Sequence, residues 1–200
     1  MKNLLAIASI VCIAMFVAVY SAAAAQPSDV FLINYYSNAN TAGAPDGTVR
    51  VDNPGYTYQD VCSMFYVFTA DQQMAECCGC RNTHNNLRTH SINTNFVNNP
   101  LTGVPPIRGV IKIVAASPNG PSCDPTTNVN PIQDLRAWGT HIQNKVGVGG
   151  LSQQTTWPIT ETAFLDAPLG DTELANLQAQ CAFINILGSG HGICSCGPEN

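Results

Sequence analysis

Apolar and polar positions alternate in short runs along most of this chain, and Gly, Pro, Asn and Asp punctuate the gaps between them. Residues 30–36 (Val-Phe-Leu-Ile-Asn-Tyr-Tyr) form a β-rich run that ends in Ser37-Asn38-Ala39-Asn40. Ala44-Pro45-Asp46-Gly47 is a turn signal; residues 48–51 then alternate as a strand does, and Asn53-Pro54-Gly55 closes the segment. Residues 61–68 are the most apolar stretch after the N-terminal segment and predict a central strand buried on both faces. The pattern over residues 69–76 predicts a helical turn capped by Thr69. Residues 87–92 and 109–116 predict two further strands. Residues 135–143 and 156–164 predict weaker ones, parted by the loose Val146-Gly147-Val148-Gly149-Gly150 loop.

One segment changes period. From Asp171 to Leu187 the apolar residues Leu174, Leu177, Cys181 and Ile184 fall at i, i+3, i+7 and i+10, which predicts a helix. Gly170 or Asp171 caps its start, Glu173 sits near the positive end of its dipole, and Gly188 is expected as a left-handed C-cap. The fold class that follows is mainly β: an antiparallel β-sandwich of about seven or eight short strands with one C-terminal α-helix packed on it.

The first twenty-five residues read as an address and not as part of this fold. Lys2 opens a run that is apolar from Leu4 to Tyr20, and Ala23-Ala24-Ala25 supplies the small residues of a cleavage site before Gln26. The run is shorter than the ~20 residues of a spanning helix, and no basic stop-transfer cluster follows it. Cys12 lies inside it, too early and in the wrong context for a lipoprotein signal. The expected organisation is therefore a signal peptide over residues 1–25 and a single secreted β-rich domain over residues 26–200, with no transmembrane segment once the signal is cleaved.

Composition narrows the class further. Apolar residues make up 45% of the chain and charged ones 10%, which excludes a disordered chain. Eight Lys and Arg face 13 Asp and Glu; loss of Lys2 with the signal leaves seven against 13, a net charge of −6. No basic stripe exists to neutralise phosphates, so nucleic acid is not an expected partner.

Eight cysteines remain beyond the signal: Cys62, Cys77, Cys78, Cys80, Cys123, Cys181, Cys194 and Cys196. An even number in an exported chain reads as four disulfides. Adjacent cysteines and i, i+2 neighbours are poorly placed to pair. At least one bridge is therefore expected to join the Cys77/Cys78/Cys80 group to the group Cys181, Cys194 and Cys196, with Cys62 and Cys123 as the other available partners. A bridge at Cys181 would rivet the helix to the sheet.

Several motifs carry chemistry in other settings, and each has a plainer reading here. Cys77-Cys78-Gly79-Cys80 contains a C-x-x-C, but a redox motif opens a helix, and the residues after it are polar and turn-like. Cys77, Cys80, Cys194 and Cys196 with His84 or His191 have the residue types of a zinc site, although the C-x-C spacing is unusual and exported thiols oxidise first. Gly188-Ser189-Gly190-His191-Gly192 lacks the G-x-S-x-G spacing of a nucleophile elbow and follows a helix instead of preceding one. Asp46, Asp52 and Asp60 form no calcium loop. Lys112 and Glu161 have the residue types of self-made isopeptide cross-links. His90 and His141 sit on expected strands, where an inward imidazole with one hydrogen bond is ordinary. No motif calls for a cofactor, a metal or a catalytic residue.

Asp60-Val61-Cys62-Ser63-Met64-Phe65-Tyr66-Val67-Phe68 is followed by Gln72-Gln73-Met74-Ala75-Glu76-Cys77-Cys78-Gly79-Cys80. With Asn99-Pro100-Leu101-Thr102-Gly103, Arg136-Ala137-Trp138-Gly139-Thr140-His141 and residues 187–196, these segments resemble a group of secreted cysteine-rich proteins of acidobacteria. The resemblance covers nearly the whole chain after the signal. It implies bacterial export and a shared cysteine framework, and it transfers no activity and no site residue.

The surface must be largely neutral and polar, because Asn, Gln, Thr and Ser are abundant and charge is scarce. Such a surface packs against carbohydrate, or against copies of itself, with little like-charge repulsion. The expected role is an extracellular structural or interaction protein that self-associates. A carbohydrate- or partner-binding module is the alternative, and a secreted hydrolase the second alternative. Residues 30–36 are read as the first strand of their own sheet, with donation to a neighbouring subunit as the rival. Cleavage after Ala25 predicts that exported protein has an intact mass starting at Gln26; material in the medium that retains residues 1–25 would contradict it.

Overall fold

The computed structural model describes residues 29–120, 122–147 and 155–198. The signal segment, Cys12, the Gln26 start and residues 148–150 of the glycine loop lie outside the described residues. Eleven strands are described: β1 (Phe31–Tyr36), β2 (Thr48–Asn53), β3 (Val61–Thr69), β4 (Met74–Asn82), β5 (Asn86–Ser91), β6 (Gly109–Ala116), β7 (Arg136–Ile142), β8 (Val146–Gly147), β9 (Thr155–Thr156), β10 (Ile159–Ala163) and β11 (Leu165–Asp166). One helix, α1 (Asp171–Leu187), follows them, and a π-helical turn spans Ile92–Phe96. Three of the eleven strands are two residues long, which leaves eight of ordinary length.

The strands form a five-stranded sheet in the order β11-β1-β6-β3-β4, a four-stranded sheet in the order β10-β7-β2-β5, and the small β8–β9 pair. All of these pairings are antiparallel. The period-2 alternation sends Val49 and Val51 of β2 and Phe65 and Val67 of β3 into one core between the sheets. Met64 and Tyr66 of β3 point the other way, into a second core closed by Leu177, Cys181 and Ile184 of α1. The molecule is thus three layers, sheet on sheet with a helix outside, and β3 is buried on both faces as its composition predicts. Strand β1 lies between β11 and β6 of its own sheet.

Two local expectations are corrected. Residues 69–76 are not a helical turn. Thr69 and Gln73 close a tight turn instead, through the Gln72 and Thr69 amides, and β4 begins at Met74. Pairing of the whole of β3 with β4 outweighs the helix propensity of Gln72, Gln73, Met74, Ala75 and Glu76. Gly188 is also not left-handed; its φ is −71°, and Ser189 at 46° and Gly190 at 99° take that role. Glycine is required at position 188 for space, since a Cβ there would lie 2.1 Å from the His191 carbonyl oxygen.

Four disulfides join Cys62 to Cys123, Cys77 to Cys181, Cys78 to Cys194 and Cys80 to Cys196. Three of them leave β4. Cys77 faces the helix, while Cys78 and Cys80 have the opposite parity and hold the segment after α1. That segment is a strap across one side of the sandwich. It exchanges backbone bonds with Cys77 of β4 at Gly192 and Cys194, then meets Asn95, and reaches β5, where the Thr89 amide donates to the Pro198 carbonyl. The strap therefore covers the β4 edge of one sheet and the β5 edge of the other. At the opposite side a single segment crosses from β10 to β11 and edges both sheets.

Two buried ionisable groups flank the strap. Glu76 is fully buried; one carboxyl oxygen accepts from the Asn99 amide at 2.8 Å, and the other has no partner. Burial pushes its pKa up to about 7. His90 packs between Phe65 and Phe96, and its Nδ1 accepts from the Gly197 amide at 3.1 Å. Burial first, and the Arg88 charge second, push its pKa down to about 3.

Gly79 lies under the Cys123 loop, where a Cβ would come 2.1 Å from the Cys123 carbonyl oxygen. Gly79→Ala must displace backbone and should cost about 1–3 kcal/mol or more in denaturant unfolding; an unchanged midpoint would show that the loop does not rest on β4. The two ionisable groups set a pH profile. Native Glu76 holds its proton more tightly than the unfolded carboxyl near 4.5, so its contribution is complete below 4.5 and is lost as pH rises to about 7. Native His90 rejects a proton that the unfolded ring takes near 6.5, so its contribution is complete above 6.5 and is lost as pH falls toward about 3. The slopes oppose between pH 4.5 and 6.5, which gives a plateau in stability there. In Glu76→Gln the plateau should become a continuous rise up to pH 6.5, measured by denaturation midpoints.

Candidate binding surface

The five-stranded sheet is covered on both faces, by the second sheet and by α1, but the four-stranded sheet is covered on one. Its outer face is built by alternation. Val49, Val51, Ala137 and Gly139 are buried, so Arg50 and Asp52 of β2 and Arg136, Trp138 and Thr140 of β7 face outward. Register then sets the neighbours. Trp138 lies opposite Arg50 and Ala163, Arg136 lies opposite Asp52, and Thr140 lies opposite Glu161. Arg50 Nη1 reaches across β7 to Glu161 Oε1 at 2.6 Å, and the Thr48 and Thr140 hydroxyls are 2.8 Å apart. With side chains 40% and 48% exposed, the Arg50–Glu161 pair adds little stability. It leaves charge and hydrogen-bonding groups beside the half-buried Trp138 ring.

The face continues into the loop between β2 and β3. The Arg136 guanidinium lies 5.6 Å from the centre of the Tyr56 ring, within cation–π range. Tyr58 stacks on His84 at 5.4 Å. Both tyrosines are nonetheless open to solvent, Tyr56 at 67% and Tyr58 at 85%. Their backbone is held from below by Asp134, which is buried and accepts from the Tyr56 amide, the Thr57 amide (2.7 Å) and the Thr57 hydroxyl (2.6 Å). Two side-chain-bearing residues of this locus have left-handed backbone, Tyr58 at φ 55° and Asp134 at φ 100°. Such conformations cost of order 1–3 kcal/mol each and persist where surrounding contacts impose them, often at binding sites. Asp52 adds a carboxyl whose pKa is raised, chiefly by burial, with Arg136 opposing and Asp134 reinforcing the shift.

The residues whose types suggested chemistry are placed elsewhere. All eight cysteines are in disulfides, including Cys77, Cys80, Cys194 and Cys196 of the zinc alternative. Ser189 and His191 are exposed in the turn that ends α1 and leads to the strap. Asp46 bonds Ser91 and Asn93, Asp60 pairs with Arg81, and Asp52 is on the open face, so the three do not converge. Lys112 and Glu161 are on different sheets. Lys112 Nζ instead meets Glu173 Oε1 of α1 at 2.5 Å, in a recess of about 540 Å³ floored by Phe68 and Val110. His141 is buried, donates or accepts at Nε2 with the Thr162 hydroxyl at 2.7 Å, and stacks on Tyr35; burial lowers its pKa.

The open face was not singled out from sequence, although part of its signal was present. Arg136-x-Trp138-x-Thr140 and Arg50-x-Asp52 are period-2 polar and aromatic patterns on opposed strands. Register, which brings Glu161 and the Tyr56–Tyr58 loop to them, is not written in either segment alone. Comparison of the chain with protein-family models, with curated proteins and with solved structures finds no match.

Proposed function

We propose that the chain is an exported, disulfide-locked binding module that holds a neutral glycan on the open face of its four-stranded sheet. The observation that carries this reading is the pair of exposed tyrosines at the end of the face that bears Trp138: Tyr56, against the Arg136 guanidinium, and Tyr58, on left-handed backbone. Sugar rings present apolar C–H faces to aromatic rings, and hydroxyls to groups that donate and accept. Rigid aromatic side chains supply the first with little entropy to lose, and Arg50, Asp52, Arg136, Thr140 and Glu161 supply the second. The charges on this face offset one another, two Arg against Asp52 and Glu161, so an ionic ligand gains no net attraction.

Export rests on the N-terminal pattern and on four disulfides, which persist in oxidising surroundings. Among the described residues no helix is long and apolar enough to cross a membrane. A glycan array probed with exported protein should give binding to neutral polysaccharides. Tyr58→Ala and Trp138→Ala should each weaken it about tenfold, the loss of one stacking contact. No binding to any neutral glycan, or full binding by both variants, would overturn the proposal.

A further inference from the structure

Helix α1 has two apolar faces. Leu177, Cys181 and Ile184 are buried against the five-stranded sheet, as a surface helix requires. Phe183, Ile186 and Leu187, at i, i+3 and i+4, form a second stripe, and they are 59%, 79% and 57% exposed. Ile193, at the start of the strap, is 44% exposed near the same end of the helix. A groove of about 500 Å³ runs beside the stripe, between α1 and the β3–β4 turn, with Met74, Leu101, Ala179, Phe183 and Ile184 in its walls beside three glutamines. Scattered apolar residues on a surface need no explanation, but a stripe joined to an apolar groove marks a surface that another molecule covers.

We infer that this face is the contact between two copies of the chain. Charge selects the occupant. From Leu174 to Pro198 the sequence contains no Asp, Glu, Lys or Arg, although the whole chain carries −5. Two copies repel each other over most orientations and meet with little of that cost here, where Asp71 of the β3–β4 turn is an acid at the rim only. A basic partner gains little at a face whose helix stripe and strap carry no acid. Shape agrees with a second copy. The face carries an exposed ring, Phe183, on the wall of an apolar groove, so a two-fold arrangement sets each copy's stripe against the other's groove. The 17-residue helix is about 25 Å long, and a standard interface side of roughly 800 Å² would take in the β3–β4 turn and the strap as its rim.

Light scattering after size exclusion, over a concentration series into the high micromolar range, tests this. Wild type should approach twice the mass of one chain. Ile186→Glu and Phe183→Glu each place charge on the exposed stripe and should return the mass to that of one chain. Circular dichroism, and the absence of alkylation without reduction, report whether each variant is folded, and either variant suffices if the other is not. A wild-type monomer throughout overturns the inference. So does a dimer that persists in a folded variant, since its contact would then lie elsewhere. Glycan binding by a monomeric variant is a separate readout, because Trp138 is on the outer face of the four-stranded sheet, and α1 packs on the five-stranded one.

Discussion

Strand β4 is held from both of its faces by covalent bonds, and most of the architecture follows from that constraint. Cys77 ties it to α1 and Cys78 and Cys80 tie it to the strap, through loops of 104, 116 and 116 residues. In a chain-entropy picture each such bridge contributes about 2–5 kcal/mol by restricting the unfolded chain. Parity makes the arrangement possible. Two cysteines of one parity and one of the other direct their sulfurs to opposite sides of a single strand. Gly79 between them keeps that strand flat enough for the Cys62–Cys123 loop to lie against it. The last disulfides then fix the strap over two sheet edges that would otherwise present unpaired backbone.

Such anchoring lets other parts of the molecule depart from what a small domain usually needs. Asp134 and Tyr58 keep left-handed backbone, and Glu76 keeps a carboxyl in the core with one oxygen unpartnered. Each departure costs free energy of the order of one disulfide's contribution. The departures are not distributed alike. Glu76 and His90 are internal and border the strap, whereas Asp134 and Tyr58 shape a loop whose tyrosines are open to solvent.

Periodicity made most of the elements legible. Strands β1, β2, β3, β5, β6 and β7, and the bounds of α1, are close to where alternation and the i, i+3, i+7 stripe put them. Strand β4 was hidden because Gln72, Gln73, Met74, Ala75 and Glu76 favour helix and Cys-Cys-Gly-Cys lacks β-branched residues. Its state is decided by β3, which offers a full antiparallel partner after a tight turn. The long-range bridges were legible as a group, since near neighbours cannot pair, while the individual pairing depends on parity in a strand the pattern does not reveal. The candidate surface was hidden for a related reason. Its residues come from β2, β7, β10 and two loops, and only register assembles them.

The layer order links the two surfaces. The open sheet face and the charge-free face of α1 are on opposite sides of three layers, with the five-stranded sheet between them. The proposed two-fold pair, joined through α1, would therefore turn its two open faces outward, away from each other and from the contact. Single stacking contacts of the kind Tyr58 and Trp138 offer bind weakly. Two such faces on one rigid particle convert the second binding event on a repeating polymer into an intramolecular one, which raises avidity by factors of about 10²–10⁴ without any new contact. Rigidity is what the disulfides supply, because the gain vanishes where the two faces cannot be held in place together. On the two proposals taken together, the cysteine framework, the neutral helix and the aromatic loop would serve one arrangement, in which a weak site is made effective by being doubled and held still.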